Sequence, residues 1–289
     1  MKMDNGQQYR RQSKDFGEVV NLQTEMKVTD ERYHRIFHNW KEPTKCTQNR
    51  RGNPCWVCTQ LKEKGFVDNN SVKILVIGDL HGDIDGLLET INAGIYKAVL
   101  CVGDLGIYTN KKNAEEYIKG TFVFLEDIPT LPIPVYSIKG NHDDYDLFES
   151  PELNKKNIFY LKQGEILKID NLVITGIGGI YSSKQSPDSY EGISKPKFLK
   201  ESEIKSLIGT EEKIDILLTH EAASNMCVKI KEGNSLLNGL VEKLQPKYYI
   251  YGHHHVNYID QSKNLYALGN FSKDKSSRIV INSLTKEMM

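Results

Sequence analysis

From Lys73 onward, short β-branched apolar runs alternate with stretches whose apolar residues recur at helical spacing. Lys73 to Ile77, Ala98 to Val102 and Val135 to Ile138 read as buried strands, the last entered through Pro132 and Pro134. Between the first two, Ile84, Leu87, Leu88 and Ile91 make a helical stripe, and a second helix is expected over Asn113 to Phe124. From Ile158 the pattern shifts to short strands and tight turns, Ile158 to Leu161, Glu165 to Ile169 and Leu172 to Ile177, which predicts a β-meander. Helical stripes return at Leu199 to Ile208 and from Leu236 to Leu244. Strands at Ile214 to Leu218, Tyr248 to Tyr251, Tyr258 to Asp260 and Arg278 to Ile281 close the chain. The order predicts an α/β fold, a layered αββα sandwich with two mixed sheets.

The first seventy residues lack this rhythm. Residues 1–29 are polar and read as a flexible tail. Residues 30–70 read as a helical, cysteine-containing extension: Thr29 and Asp30 offer a cap to a helix with Tyr33, Ile36, Phe37 and Trp40, and Pro43 stops it. Residues 71–289 form the main domain.

Composition narrows the classes. At 289 residues and 39% hydrophobic the chain can bury a large core, and its zero formal charge favours no partner by bulk electrostatics. The longest apolar runs, such as Val72 to Ile77, are too short to cross a bilayer, and Met1 to Arg11 has no signal-peptide core. With five cysteines and no export signal, reduced thiols in the cytoplasm are expected, the nucleus remaining open.

The chemistry sits where the strands end. Five blocks follow apolar runs in order: Gly78-Asp79-Leu80-His81-Gly82, Gly103-Asp104, Gly140-Asn141-His142-Asp143, Thr219-His220 and Gly252-His253-His254-His255. They hold six of the chain's eight histidines. Carboxylate, amide and imidazole donors of this kind suit divalent metals in phosphoester hydrolysis. Strand alternation predicts that Asp79 and His81 project to one side, and likewise His253 and His255. Asp104, with two carboxylate oxygens, is the natural bridge between two ions. His254 is expected at the surface or facing substrate, and Asp83 as a helix cap rather than a ligand.

Over residues 78–255 the set resembles the calcineurin-like metallophosphoesterase superfamily, whose pattern is Asp-x-His, Gly-Asp, Gly-Asn-His-Asp/Glu, His and Gly-His-x-His. The resemblance implies a metal-dependent phosphoesterase with two divalent ions, for which Mn, Fe or Zn would serve. The first would take Asp79, His81, Asp104 and His255, and the second Asp104, Asn141, His220 and His253. It implies that His142 protonates the leaving oxygen or stabilises the pentacovalent state. A phosphoester substrate, a nucleotide or nucleic acid in particular, is the implied partner.

Within the superfamily, protein phosphatases extend the second block with an Asp-Arg pair. Here Leu105-Gly106-Ile107-Tyr108 replaces it, which weakens that reading. Cyclic-nucleotide phosphodiesterases share Gly-Asn-His-Asp. The run Leu172 to Tyr181 and the run Asp215 to Glu221 resemble RNA lariat-debranching enzymes, although those commonly carry Cys where this chain has Asp79. The expectation is a phosphodiesterase, with a phosphomonoesterase, a protein phosphatase or a non-catalytic scaffold as alternatives. Cys46, Cys55 and Cys58 with His38 or His34 could form a structural zinc site, against a null of reduced thiols. Arg50, Arg51, Lys62 and Lys64 with Trp56 could touch a nucleic-acid backbone and stack a base, against a null of a solvated loop.

Overall fold

A computed structural model describes residues 72–109, 122–180, 197–229 and 232–289. The expected tail, the 30–70 extension, the cysteine site with Cys46, Cys55, Cys58 and His38, and most of the 113–124 helix lie outside the described residues.

Two sheets carry the main domain. The first has the order β13 (Arg278–Asn282), β1 (Lys73–Ile77), β2 (Ala98–Cys101), β5 (Val135–Ser137), β6 (Ile158–Tyr160). Its strands run parallel except β13, which pairs antiparallel with β1 from Lys73↔Asn282 to Ile77↔Arg278. The second has the order β11 (Tyr258–Asp260), β12 (Leu265–Ala267), β10 (Tyr248–Tyr251), β9 (Ile216–Thr219), β8 (Leu172–Ile177), β7 (Leu167–Ile169). Here β12, β10, β9 and β8 are mutually parallel and the two edge strands antiparallel.

Period-two alternation explains why central strands are apolar on both faces. On β1, Ile74 and Val76 face a core shared with Ile216 and Leu218 of β9 and Ile250 of β10, so this core lies between the sheets. Leu75 and Ile77 face the other way, onto Ile84, Leu87 and Ile91 of helix α1 (Ile84–Ala93). The outer face of the second sheet, including Leu217 and Tyr249, packs on Ile204 and Leu207 of one helix (Glu201–Ile208) and Leu237 and Leu240 of another (Leu236–Leu244). The layers are αββα, as the sequence pattern predicts.

Three local expectations are corrected. The 158–177 stretch is not a meander. β6 joins the first sheet beside β5, with Leu161 N donating to Ser137 O at 2.9 Å. The chain then crosses to the second sheet, where β7 and β8 make a hairpin. The apolar pattern specified strands but not which sheet would bury them. Val123–Phe124 (β4) is extended rather than helical, paired with Ile107–Tyr108 (β3) and anchored by Val123 N to Gly106 O at 3.0 Å. Two short helices were not read from sequence, Tyr145–Phe148 and Pro151–Lys155. The second shows a start signal all the same: Pro151 at its head and Ser150 Oγ accepting from Glu152 N. No helix among the described residues is long and apolar enough to cross a membrane.

Candidate metal centre

The five blocks meet at the carboxyl ends of β1, β2, β5, β9 and β10, where open α/β sheets present backbone and side chains to ligands. Asp79 leaves β1 fully buried, its backbone tied by Asp79 N to Gly269 O (3.1 Å) and Phe271 N to Asp79 O (2.9 Å). His81 N donates to Asp104 O at 2.8 Å, which locks the first block to the second. Gly252 N donates to His220 O at 3.1 Å, locking the fifth to the fourth. Across the sheets, His253 N lies 3.2 and 3.1 Å from the two Asp79 carboxylate oxygens.

Four of these residues adopt left-handed backbone: His81 (φ 45), Asp104 (φ 47), His253 (φ 62) and His255 (φ 52). Side chains other than glycine rarely take this conformation, and its recurrence is the kind of strain that gathers at functional sites. It also corrects the expected reason for pairing: His81, His253 and His255 are aimed by tight turns beyond the strands, not by strand alternation. Two glycines admit the carboxylates. A Cβ on Gly140 would overlap Asp104 Oδ1, and one on Gly252 would overlap Asp79 Oδ1.

The donors gather in two groups. In the first, donor atoms of Asp79, His81 and His255 all lie within 4.8 Å of one another, with His255 Nε2 3.1 Å from Asp79 Oδ2 and 3.3 Å from His81 Nε2. In the second, His220 Nε2 is 3.0 Å from Asn141 Oδ1 and 3.4 Å from Asp104 Oδ1, and the His253 ring centroid lies 5.1 Å from that of His220. Asp104 stands between them: Oδ1 faces His220, while Oδ2 lies 3.8 Å from His81 Nε2. Asp104 Oδ1 also accepts from His142 N at 2.8 Å, and the His142 ring sits 6.0 Å from that of His81.

His220 shows what this geometry demands. Its ring is fully buried, and Nδ1 lies 2.8 Å from the Val102 carbonyl, which can only accept. That bond places a proton on Nδ1 and leaves Nε2 facing two more oxygens, of Asn141 and Asp104. Something positive must sit at Nε2, a proton or a cation. Burial alone would lower the His220 pKa, yet Asp104, Asp79 and the Val102 carbonyl together raise it. The balance runs the other way for His253 and His81. Burial pushes His253 down to about 3, with the nearby His220 and His254 adding to it, and burial also lowers His81 against Asp104 and Asp79. Neutral imidazoles beside ionised carboxylates are the form that metals require. For Asp104, burial opposes the charge, but His220, His81 and His142 hold it below the usual carboxylate range.

Supporting residues were less visible in the sequence. Asp143 is buried and accepts from Gly140 N (2.6 Å) and Gly106 N (3.3 Å), joining the third block to the loop after the second. Burial and then Asp104 push its carboxyl up to about 7. Asp144 Oδ2 accepts from Thr109 N and Oγ1 at 2.9 and 2.7 Å. Both lie in or beside the third block, a proximity that could have flagged them. Asp83 accepts from Gly86 N at 3.2 Å in the first turn of α1, as its capping role predicts. His254 corrects the expectation of a surface or substrate-facing side chain. It is buried, 6% exposed, with Nδ1 2.8 Å from Glu232 Oε2. Nothing in the sequence marked Glu232 as its partner.

Residues 72–257, more than half of the chain, match the profile of the calcineurin-like phosphoesterases, and the chain belongs to that family. The chain is similar to lariat debranching enzymes, 25% identical over 234 residues to that of Arabidopsis thaliana (65% of this chain, 55% of that protein). To that of Homo sapiens it is 23% identical over 231 residues (65% of this chain, 42% of that protein). The chain thus spans about half the length of these curated relatives. A solved crystal structure superposes with a TM-score of 0.52 at 11% identity, covering 75% of this chain and 97% of that one, which shows the fold.

Proposed function

We propose that this protein is a dinuclear metal-dependent phosphodiesterase acting on a nucleotide or nucleic-acid substrate, a branched RNA foremost. The observation that carries the two-ion reading is Asp104, whose two oxygens face separate groups of nitrogen and oxygen donors. In this reading Asp79, His81, Asp104 and His255 hold one ion, and Asp104, Asn141, His220 and His253 the other. Divalent ions so placed would lower the pKa of a bound water and neutralise charge on the phosphoryl oxygens.

The chain's own residues supply the rest. Asn141 contributes a neutral oxygen, so the site keeps the positive charge that an anionic phosphate needs. His142 is tied through its backbone to Asp104 Oδ1 while its ring is directed elsewhere, beside His81. A partly exposed imidazole held there can deliver a proton to the leaving oxygen. The diester preference rests on the debranching enzymes among the relatives and on the missing Asp-Arg pair after Asp104. The division into a tail (1–29), an extension (30–70) and a catalytic domain (71–289) belongs to the same proposal, as does a structural zinc on Cys46, Cys55, Cys58 and His38.

The test is hydrolysis by the full chain with added Mn²⁺. Substrates would be bis-p-nitrophenyl phosphate, p-nitrophenyl phosphate, cyclic nucleotides, linear RNA and a branched RNA. Preference for the branched RNA supports the reading, and faster turnover of the monoester than of every diester would sink it.

A further inference from the structure

The second donor group is supported unequally. The His220 ring is held by Val102 O, and Asn141 Oδ1 lies against His220 Nε2. For His253, no hydrogen bond reaches either ring nitrogen from a described residue. Its ring is instead packed against two other imidazoles: His220 at 5.1 Å between centroids, tilted by 56°, and His254 at 5.1 Å, edge-on at 67°. His254 is therefore one of the two rings that the His253 plane rests against.

His254 is turned the opposite way from its neighbours. His253 and His255 both have left-handed backbone, and His254 N closes the turn onto Gly252 O at 2.6 Å, which sends the middle ring inward. There it meets Tyr251 edge-on at 5.9 Å and Glu232 Oε2 at 2.8 Å from Nδ1. Its other nitrogen, Nε2, is buried and has no partner among the described residues. Among the described residues, Glu232 is thus the single polar tether on this ring. It is well placed to hold, because the chain is pinned two residues later. Asn234 is fully buried, its N–H donating to Ala222 O at 2.7 Å and its carbonyl accepting from Ser224 N at 3.1 Å. Ala222 in turn follows His220 by two residues. The tether therefore links the loop after the fourth block to the turn of the fifth.

We propose that Glu232 is a positioning residue: acting through the His254 ring, it fixes the plane of His253 and so sets how tightly the second ion position holds a divalent cation. This rests on the two-ion reading above. Removing a carboxylate bonded directly to a metal ligand typically costs about 10–100-fold in metal affinity; Glu232 bonds the neighbour of a ligand instead, so the low end, about tenfold, is expected. The Glu232 side chain is itself 49% exposed, so truncating it opens no buried cavity.

The experiment uses the full chain, stripped of metal and titrated with Mn²⁺ by calorimetry and by the electron paramagnetic resonance signal of a coupled ion pair. Thermal melting of the metal-free protein runs alongside. Glu232→Ala should bind the first ion as the parent does and the second about tenfold more weakly, with the coupled signal weakened at matched Mn²⁺ and the metal-free melting temperature lowered by a few degrees at most, since His254 Nδ1 loses its partner. Glu232→Gln keeps an oxygen to accept from Nδ1–H and should restore the second affinity to within about threefold. A Glu232→Ala chain with both affinities intact overturns the proposal. So does one whose first and second affinities fall by the same factor, which is the signature of a merely structural contact. A parent chain that binds one ion removes the two-ion reading itself, and this inference with it, whereas two ions in the parent and in Glu232→Ala alike remove only the role of Glu232.

Discussion

His220 and His255 are offered to the same centre from opposite environments. The His220 ring is fully buried and hydrogen-bonded to a backbone carbonyl, whereas the His255 side chain is 43% exposed and, among the described residues, has its polar contacts with Asp79 and His81. His220 is part of the sandwich interior; His255 stands at the rim, over the buried Asp79 and His81. A buried donor whose partners cannot be replaced by water serves stability and ligation together, while an exposed one can be lost with little effect on the fold.

The largest effect is expected where the two groups join. Asp104→Asn keeps an acceptor for His142 N but loses the charge shared by both groups, so metal content should fall from two ions and kcat/KM by more than about 10³. Metal analysis and turnover on a small diester check this, and a variant holding two ions at near-parental rate would show that Asp104 is not the junction. His142→Ala should leave both ions bound and cost about 10²–10⁴ in rate under conditions where chemistry limits turnover. Unchanged turnover there would assign His142 another role.

The contrast itself is tested by paired substitutions. His220→Ala strands the Val102 carbonyl in the interior and should cost about 1–3 kcal/mol in metal-free stability by denaturant unfolding. His255→Ala should stay within about 0.5 kcal/mol of the parent while weakening metal binding. Equal losses would erase the distinction between interior and rim.

A further test concerns pH. The Asp143 carboxyl, raised to about 7 by burial and by Asp104, binds a proton in the folded chain that the unfolded chain has already released. This contribution is present below the unfolded carboxylate range and is lost as pH rises toward 7. Metal-free protein should accordingly lose stability between about pH 4 and 7 from this group, and Asp143→Asn should flatten that slope. A slope identical in parent and variant would remove Asp143 as its source.

Much of this was legible from residues alone. The ligand blocks announce themselves because each follows a short β-branched or aromatic apolar run, such as Lys73–Ile77 or Tyr248–Tyr251, that reads as a doubly buried strand. Sheet membership was not legible. Ile158–Tyr160 and Leu167–Ile169 carry similar short apolar patterns, yet the first pairs with β5 and the second with β8, a choice made by tertiary partners. Side-chain direction at the site was not legible either. Strand alternation suggested why Asp79 and His81 converge, but it ceases at Ile77, and left-handed turns take over. His254 was misread for the same reason, since nothing local says that a middle histidine turns inward to a glutamate 22 residues upstream.

The lock between Asp79 and the backbone of His253 has a consequence for the order in which this molecule comes into being. Its two ends are 174 residues apart, and the strand beside β1 is the last in the chain, Arg278–Asn282. Contacts of such separation carry the full entropy of closing a long loop and form late in folding. A chain emerging from the ribosome therefore displays Asp79 and His81 long before the residues that aim them exist. Until the second sheet docks, the early blocks are loose donors with no preferred geometry for an ion. In the proposed centre, the capacity to hold metal would thus be acquired only once the first and fifth blocks have met.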